Sequence, residues 1–224
     1  MQEIIHNKIY TNSGNVNVLN EIPTDATKIL DIGCGAGDNS RILFAAKKIV
    51  DGITISDEEA KIAAEFQRST HIYNLENGLP PDIKDTYDAV ICAHVLEHIC
   101  YPQNVLRDTY ARMSDNAVLI IALPNIMHYK TRLKLLRGNF QYTESGIMDY
   151  THFRWYTFKS AQTMLEENGF EVVKAFVNSN KSNSAALSWL PESLVNGLKS
   201  IAFGISKGLF GIELLYVAKK KNRA

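Results

Sequence analysis

The sequence predicts an α/β protein in which helices cover both faces of a mostly parallel sheet. Short runs rich in β-branched and apolar residues alternate with stretches of helical spacing along most of the chain. This alternation is typical of βαβ units, whose strands lie parallel in one sheet. The chain has 224 residues and is 46% hydrophobic, which is enough for one substantial core. Since no repeat or low-complexity linker divides it, we predict a single domain over 1–224.

Seven runs have the composition of strands, and helical segments follow most of them. The predicted strands are 28–32, 49–55, 70–75, 87–93, 117–124, 170–177 and 213–220. The predicted helices are 40–48, 57–67, 94–99, 104–113 and 159–170. Acidic residues open the second helix, where the helix dipole favours them, and Asn168-Gly169 is a helix stop signal. The last two strands lack a regular crossover helix, which favours an antiparallel pair.

Charge and cysteine content exclude several classes of protein. The chain carries 24 basic and 24 acidic residues, so no global field attracts nucleic acid or an anionic membrane. Three cysteines without a CxxC pair are typical of packing in a reducing compartment. The N-terminal MQEIIHNKIY lacks the layout of a signal peptide, and no apolar run approaches ~20 residues. We expect a cytoplasmic protein without stable membrane insertion.

The motif ILDIGCGAGDNS at 29–40 is the strongest functional signal. A buried strand delivers Asp31, and Gly33, Gly35 and Gly37 then form a G-x-G-x-G turn before a helix. Glycines are needed where the backbone takes unusual dihedrals or where a ligand approaches closely. The spacing differs from the G-x-G-x-x-G of dinucleotide binders, and no lysine follows as in a P-loop. The loop therefore predicts a ligand without a pyrophosphate.

Four collinear segments, DIGCGAG, GITIS, DAVICAHVLEHI and ALPN, resemble class I S-adenosylmethionine-dependent methyltransferases. The later segment GIMDYTHFRWYT resembles the bacterial type 11/12 group, which is often grouped with cell-surface glycan synthesis. The resemblance covers roughly 25–178. It implies a Rossmann-like three-layer sandwich with a seven-stranded, mostly parallel sheet whose last strand is antiparallel. It also implies S-adenosylmethionine as cofactor, S-adenosylhomocysteine as product and a small-molecule acceptor.

The same resemblance implies a set of cofactor-binding residues. They are Asp31, Gly33, Cys34, Gly35, Gly37, Thr54, Ile55, Asn74, Leu75, His94 and Val95. Asp31 would orient the methionine amino group, Asn74 would lie beside adenine, and His94 would line the reactive side. In this family an acid usually binds the ribose hydroxyls where this chain has Thr54, so ribose binding would lean on Ser56 or a neighbour. An acid is also expected where Asn74 stands; alternatively both are ordinary strand-end polar residues.

Methyl transfer needs alignment and, for a hydroxyl acceptor, a base. His94, Glu97 and His98 have the spacing of one helix face, which leaves three interpretations open. One of the histidines is a general base, or the group binds a metal, or Glu97-His98 braces the helix near the cofactor. The metal interpretation rests on a resemblance to the ExxEH segment of ubiquinone-pathway O-methyltransferases, with His94 replacing the first acid. We name His98 and His152 as candidate catalytic residues and no metal ligands.

The segment 125–157 is predicted to be a lid-like insertion that binds the acceptor. It carries four basic residues without an intervening acid, Lys130, Arg132, Lys134 and Arg137. These predict either a basic lid for a phosphate, carboxylate or nucleotide-sugar acceptor, or a solvated helix face. We name Tyr129, Arg132 and Arg154 as candidate substrate-binding residues. Asp149, His152 and Arg154 form either a functional cluster or a structural one that holds the lid.

A second insertion, 178–212, carries an apolar helical stripe of Leu194, Leu198, Ile201, Ile205 and Leu209. The stripe predicts packing onto the domain, a homodimer contact or a transient membrane contact. The predicted function is methylation of an oxygen or nitrogen of a small molecule, such as a sugar or glycan precursor. Three alternatives stay open: a cofactor-binding regulator without activity, an RNA or DNA methyltransferase, and a cyclopropane-forming enzyme. The neutral charge and ALPN, in place of an (N/D)PP(Y/F) motif, disfavour the nucleic-acid alternative.

Overall fold

The computed structural model describes residues 13–178 and 207–221. Its strands are β1 (Lys28–Ile32), β2 (Ile49–Thr54), β3 (Ser69–Ile72), β4 (Tyr87–Ala93), β5 (Met113–Pro124), β6 (Phe170–Asn178) and β7 (Glu213–Lys220). They form one seven-stranded sheet in the order β3-β2-β1-β4-β5-β7-β6. Strands β1 to β5 pair in parallel, and β7 runs antiparallel to both β5 and β6. The predicted fold class, including the reversed last strand, is confirmed.

The helices occupy the connections between strands. They are α1 (Val16–Leu19), α2 (Asp38–Ala45), α3 (Asp57–Ala63), α4 (Pro102–Arg112), α5 (Tyr129–Leu136), α6 (Phe158–Glu167) and α7 (Lys207–Phe210). Short 3-10 turns lie at Leu75–Asn77 and Leu96–His98. The helix predicted over 94–99 is therefore wrong. His94 adopts the left-handed φ of 57°, which ends regular structure after β4 and leaves room for only one tight turn.

Both faces of the sheet are buried because consecutive side chains of a strand point to opposite faces. On β1, Leu30 belongs to the hydrophobic cluster of one face and Ile29 to the cluster of the other. The first cluster also receives Val105 and Leu106 of α4 and side chains of α6. The second cluster receives side chains of α1 and α2. The result is the predicted three-layer arrangement.

The sheet opens toward its carboxyl edge between β1 and β4. Strand β1 pairs with β2 on one side and with β4 on the other, so the connections after β1 and β4 leave the sheet in diverging directions. Such a point in a parallel sheet leaves a crevice at the carboxyl ends of the strands, where ligands bind. The glycine loop follows β1 directly, and His94 follows β4 directly. The glycine loop and His94 thus meet at this edge.

Two expectations concern the rest of the chain. All three cysteines are free thiols, as their spacing predicts. Among residues 13–178 and 207–221, no helix combines the length and the apolar character needed to cross a bilayer. The apolar stripe at Leu194, Leu198, Ile201 and Ile205 lies outside the described residues, and of the stripe only Leu209 is seen, within α7.

Candidate functional site

The glycine loop lies against the turn that follows β4. Gly33, Gly35 and Gly37 have φ values of 69°, 54° and 83°, a region that L-residues rarely adopt. A Cβ added to Gly33 would overlap the side chain of Val95, so this glycine is required for the two segments to approach. The loop is closed by a hydrogen bond from the Gly37 amide to the Cys34 carbonyl, at 2.9 Å. This geometry presents a tight turn of backbone at the mouth of the crevice.

Asp31 lies just below the loop and is 1% exposed. The Ser40 hydroxyl donates to its Oδ2 at 3.2 Å, and the Gln67 side chain donates to Ser40 at 2.8 Å. Burial raises the pKa of Asp31 to about 7, and the hydrogen bond from Ser40 offsets only part of this rise. The carboxyl group is consequently poised to ionise when a cationic group approaches.

Thr54 ends β2 at the position where the resemblance led us to expect an acid. Its hydroxyl donates to Oε2 of Glu59 at 2.7 Å, and both residues are nearly fully buried. Ser56 caps α3 by accepting from the Glu59 amide at 3.3 Å, which fixes Glu59 in the first turn of the helix. A carboxylate of the following helix therefore lies beside the end of β2. Ser56, which we expected to contribute to ribose binding, caps this helix. Its contribution to ribose binding stays a prediction.

Asn74 and Leu75 lie in the loop after β3. The Asn74 side-chain oxygen accepts from the amide of Glu76 at 3.0 Å and so caps the short turn Leu75–Asn77. The Glu76 carboxylate accepts in turn from the amide of Cys100 at 2.7 Å. These bonds hold the loop after β3 against the start of α4, and they give Asn74 a structural task that its sequence position does not reveal.

His94 lies between two carboxylates. Its Nε2 is 2.8 Å from Oε1 of Glu213 at the start of β7, and its Nδ1 is 3.4 Å from Oε1 of Glu97. Desolvation opposes the charged ring, but the hydrogen bonds with Glu213 and Glu97 win and raise the pKa of His94 to about 10. Glu213 also accepts from the side-chain amides of Asn15 and Asn178. His94 is therefore a cation at neutral pH and has no proton-accepting capacity there.

The candidate catalytic residues His98 and His152 come together although 54 positions separate them in the sequence. Their rings pack edge to face with centroids 4.7 Å apart. The amides of Phe153 and Arg154 donate to the backbone oxygen of Glu97 at 2.8 and 3.0 Å, which brings the end of the 125–157 insertion against the turn after β4. Burial lowers the pKa of His152, so that its ring is neutral at pH 7.

The candidate substrate residues are spread over the insertion. Tyr129 opens α5, is half-exposed and packs on the ring of His128, with centroids 4.5 Å apart. Arg132 donates through Nε to the Met127 carbonyl at 2.8 Å. Arg154 donates through Nε to the Cys100 carbonyl at 2.7 Å, beside the 3-10 turn that carries His98. Of the three, Arg154 lies near the histidine pair, because its backbone amide and its side chain both bond to the segment around His98.

A family model described as a methyltransferase domain matches residues 4–175. The chain belongs to this methyltransferase family. The match covers the glycine loop, Asp31, Glu59 and the histidine pair. It confirms the class I assignment made from the sequence motifs and, with it, S-adenosylmethionine as the cofactor.

Comparisons with individual proteins agree with the family. An uncharacterized protein of Methanocaldococcus jannaschii is 28% identical to this methyltransferase over 198 residues, which cover 82% of this chain and 76% of that protein. A ubiquinone biosynthesis O-methyltransferase of Haemophilus ducreyi is 29% identical over 114 residues, so the match spans less than half of either chain. The crystal structure of a SAM-dependent methyltransferase from Archaeoglobus fulgidus has the same fold, with a TM-score of 0.64 at 18% identity, covering 98% of this chain and 95% of that one.

Three residues that contact the predicted site residues, Glu59, Glu213 and Thr151, were not predicted from the sequence. Glu59 is one of three consecutive charged residues in the first turn of α3, where a dipole role explains an acid without further function. Glu213 opens the last strand, and Thr151 lies between the predicted residues of the insertion. Their partners are distant along the chain, so local spacing carries no signal for Glu213 or Thr151.

The raised pKa of Asp31 predicts how stability depends on pH. A carboxyl group whose pKa is higher in the folded state contributes stability that is present below its unfolded pKa and is lost as pH rises through the folded value. Between pH 5 and pH 8 this loss amounts to about 3 kcal/mol for a pKa near 7. Asp31→Asn should remove this part of the pH dependence, as measured by urea unfolding at the two pH values.

The exposed acid of Asp115 provides the matched control, because Asp115→Asn removes a carboxylate from the surface of β5. This control should lose stability with rising pH as the wild type does. An Asp31→Asn protein whose stability changes between pH 5 and 8 by as much as the wild type's would contradict the assignment.

Proposed function

We propose that the protein transfers the methyl group of S-adenosylmethionine to an oxygen or nitrogen of a small-molecule acceptor. The observation that carries this proposal is the left-handed glycine loop, packed on Val95 at the crevice between β1 and β4. A loop in which every second residue is a glycine lets a ligand approach the backbone closely at this edge. The family match supplies the class of reaction.

The cofactor would lie along the carboxyl edge from β1 to β3. Gly33, Cys34 and Gly35 would pass under the methionine and ribose, with Gly37 closing the loop behind them. Asp31 would become ionised beside the ammonium group of the methionine, since a neighbouring cation lowers the pKa of a buried carboxyl. Ile55 follows Thr54 at the ribose end. Asn74-Leu75 would flank the adenine, and Val95 would face the sulfur side.

Glu59 is the residue that we assign to the ribose hydroxyls, together with Thr54. The Glu59 carboxylate lies 2.7 Å from the Thr54 hydroxyl at the end of β2. A carboxylate can accept two hydrogen bonds from a diol, which a threonine hydroxyl alone cannot. In this proposal the threonine at the end of β2 orients the acid instead of replacing it, so that Thr54 no longer favours the alternative of an inactive cofactor-binding regulator.

The acceptor would enter beside the insertion 125–157. In the reaction, a lone pair on the acceptor atom attacks the methyl carbon, the carbon–sulfur bond breaks, and its electrons return to sulfur to give S-adenosylhomocysteine. An acceptor hydroxyl must also lose its proton, and we assign His98 and His152 to assist its removal. Tyr129, Arg132 and Arg154 would contact the acceptor, and basic side chains here favour one that carries a phosphate or carboxylate.

A cytoplasmic location and a homodimer are further proposals. The first rests on composition and the second on the 178–212 insertion.

Calorimetry with S-adenosylmethionine and S-adenosylhomocysteine tests the cofactor site directly. We expect binding by the wild type and a loss of at least about a hundredfold in affinity for Gly35→Asp, because a carboxylate would fill the surface on which the ligand lies. Aspartate tolerates a left-handed φ better than most residues, so the loop should keep its shape. Gly138→Asp is the control: Gly138 has φ 72° and open space around it, so this variant should bind as the wild type does. Absence of binding by the wild type would refute the proposed function.

The role of Glu59 is tested by the same titration. Glu59→Gln should weaken S-adenosylmethionine binding about tenfold, since a hydrogen bond to a charged group contributes roughly 1.5–3 kcal/mol. Glu58→Gln is the control, because Glu58 is exposed on the same helical turn and pairs with Lys61 at 2.6 Å. Equal affinities for the two variants would show that Glu59 does not contact the ribose.

A panel of sugars, catechols and carboxylated or phosphorylated alcohols, assayed for S-adenosylhomocysteine formation, tests transfer itself. With any acceptor that turns over, His152→Gln should lower kcat at least about tenfold, as expected for loss of a group that assists proton removal, without changing cofactor affinity. His71→Gln removes an imidazole of β3 that pairs with Asp82 and should leave kcat unchanged. Turnover by His152→Gln at the wild-type rate would remove His152 from the reaction.

A further inference from the structure

Three metal-ligating side chains converge beneath the insertion 125–157. Glu97 and His98 come from the 3-10 turn after β4, and His152 comes from the end of the insertion. One donor atom from each lies within 4.8 Å of the other two, a spacing that a single cation can bridge. Two imidazoles and one carboxylate are a ligand set typical of zinc and of other divalent first-row transition metals.

The carboxylate of Glu97 lacks a partner for one of its oxygens. Glu97 is 1% exposed, and its Oε2 has no hydrogen-bond partner among the described residues. A buried charged oxygen without a partner carries a large desolvation cost, so such groups are normally paired or coordinate a metal. Its other oxygen, Oε1, lies 3.4 Å from the ring of His94. The unpartnered oxygen therefore points to a cation on the other side of the carboxylate.

The imidazole of His98 is oriented as metal ligands usually are. Its Nδ1 lies 3.0 Å from the hydroxyl of Thr151, and that hydroxyl donates to Oδ1 of Asp149 at 2.7 Å. Because the hydroxyl proton goes to Asp149, Nδ1 of His98 must be the donor to Thr151. The lone pair of His98 is then on Nε2. A carboxylate that orients a histidine ring through hydrogen bonds is characteristic of metal sites.

The imidazole of His152 is held in the same tautomer. Its Nδ1 donates to the backbone carbonyl of Ile147 at 3.1 Å, which leaves the lone pair on Nε2. Two rings with fixed Nδ1–H groups, packed 4.7 Å apart, thus both carry their free lone pairs on Nε2 beside a buried carboxylate. Histidines with a purely structural role do not require that both rings have the same tautomer.

We propose that Glu97, His98 and His152 bind one divalent transition-metal ion of the zinc class. Glu97 and His152 are buried, whereas His98 is partly exposed, so the ion keeps a side open to a ligand from solvent. Its role rests on the proposed function: the ion would hold an oxygen of the acceptor and lower the pKa of its hydroxyl, whose proton passes to water. The ligand set excludes His94, which Glu213 holds through Nε2 at 2.8 Å.

The test uses the untagged full-length chain, stripped with a chelator and titrated with Co²⁺, a spectroscopic substitute for Zn²⁺, without cofactor or acceptor. We expect one Co²⁺ per chain, visible absorption bands of a low-symmetry site, and displacement by Zn²⁺ but not by millimolar Mg²⁺, because Mg²⁺ prefers oxygen ligands. Glu97→Gln and His152→Gln should each weaken Co²⁺ binding at least about a hundredfold. His71→Gln, the control for loss of an imidazole, should bind as the wild type does.

Thr151 provides a second, milder probe that does not touch a ligand. Thr151→Ala should weaken Co²⁺ binding about tenfold, the usual effect of losing a group that orients a ligand, and Thr151→Ser should restore it. Absence of stoichiometric Co²⁺ binding by the wild type would overturn the inference, as would wild-type affinity in both Glu97→Gln and His152→Gln. A chain that binds S-adenosylmethionine but no Co²⁺ refutes the metal alone, and the reverse result refutes the proposed function alone.

Discussion

The close approach of two loops at the carboxyl edge of β1 and β4 is the constraint on which the rest of the site depends. Gly33 must lack a side chain because Val95 occupies that space. Val95 is held there because His94 takes a left-handed φ and turns the chain sharply out of β4. The same turn brings His94 into contact with Glu213 and Glu97 into contact with the end of the insertion 125–157. A single steric contact thus couples the cofactor loop to the histidine pair.

Buried carboxyl groups dominate the electrostatics of this edge, although the chain as a whole carries no net charge. Four carboxyl groups near this edge are largely or fully buried, those of Asp31, Glu59, Glu97 and Glu213. Such a field stabilises a cofactor that carries a sulfonium and an ammonium group, and it would also stabilise the proposed divalent cation. His94 neutralises part of it as a fixed cation between Glu97 and Glu213. The net charge counts buried and exposed groups together, so it does not show that buried acids cluster at this edge.

Most of the fold was predictable because the strands are short, apolar and separated by helical periodicity. Strands β1, β4 and β7 match their predicted ranges. β3 ends at Ile72, before the predicted limit at 75, because Asn74 caps a 3-10 turn there. The segment 94–99 has the spacing of a helix in sequence, yet the left-handed His94 prevents one. Residue spacing shows which side chains would lie on the same face of a helix. The backbone dihedrals determine whether the helix forms at all.

The sequence by itself determined the fold class and the glycine loop, because these depend on local patterns of apolar residues and glycines. Its resemblance to a known family added the reversed last strand and the cofactor. Only the tertiary structure decided which acid lies beside Thr54, which carboxylate pairs with His94 and which side chains surround His98. Glu59 reaches Thr54 through a helix cap, Glu213 meets His94 across 119 positions, and His152 meets His98 through backbone bonds to Glu97. Contacts between segments so far apart depend on how the sheet orders its strands, and no local spacing encodes that order.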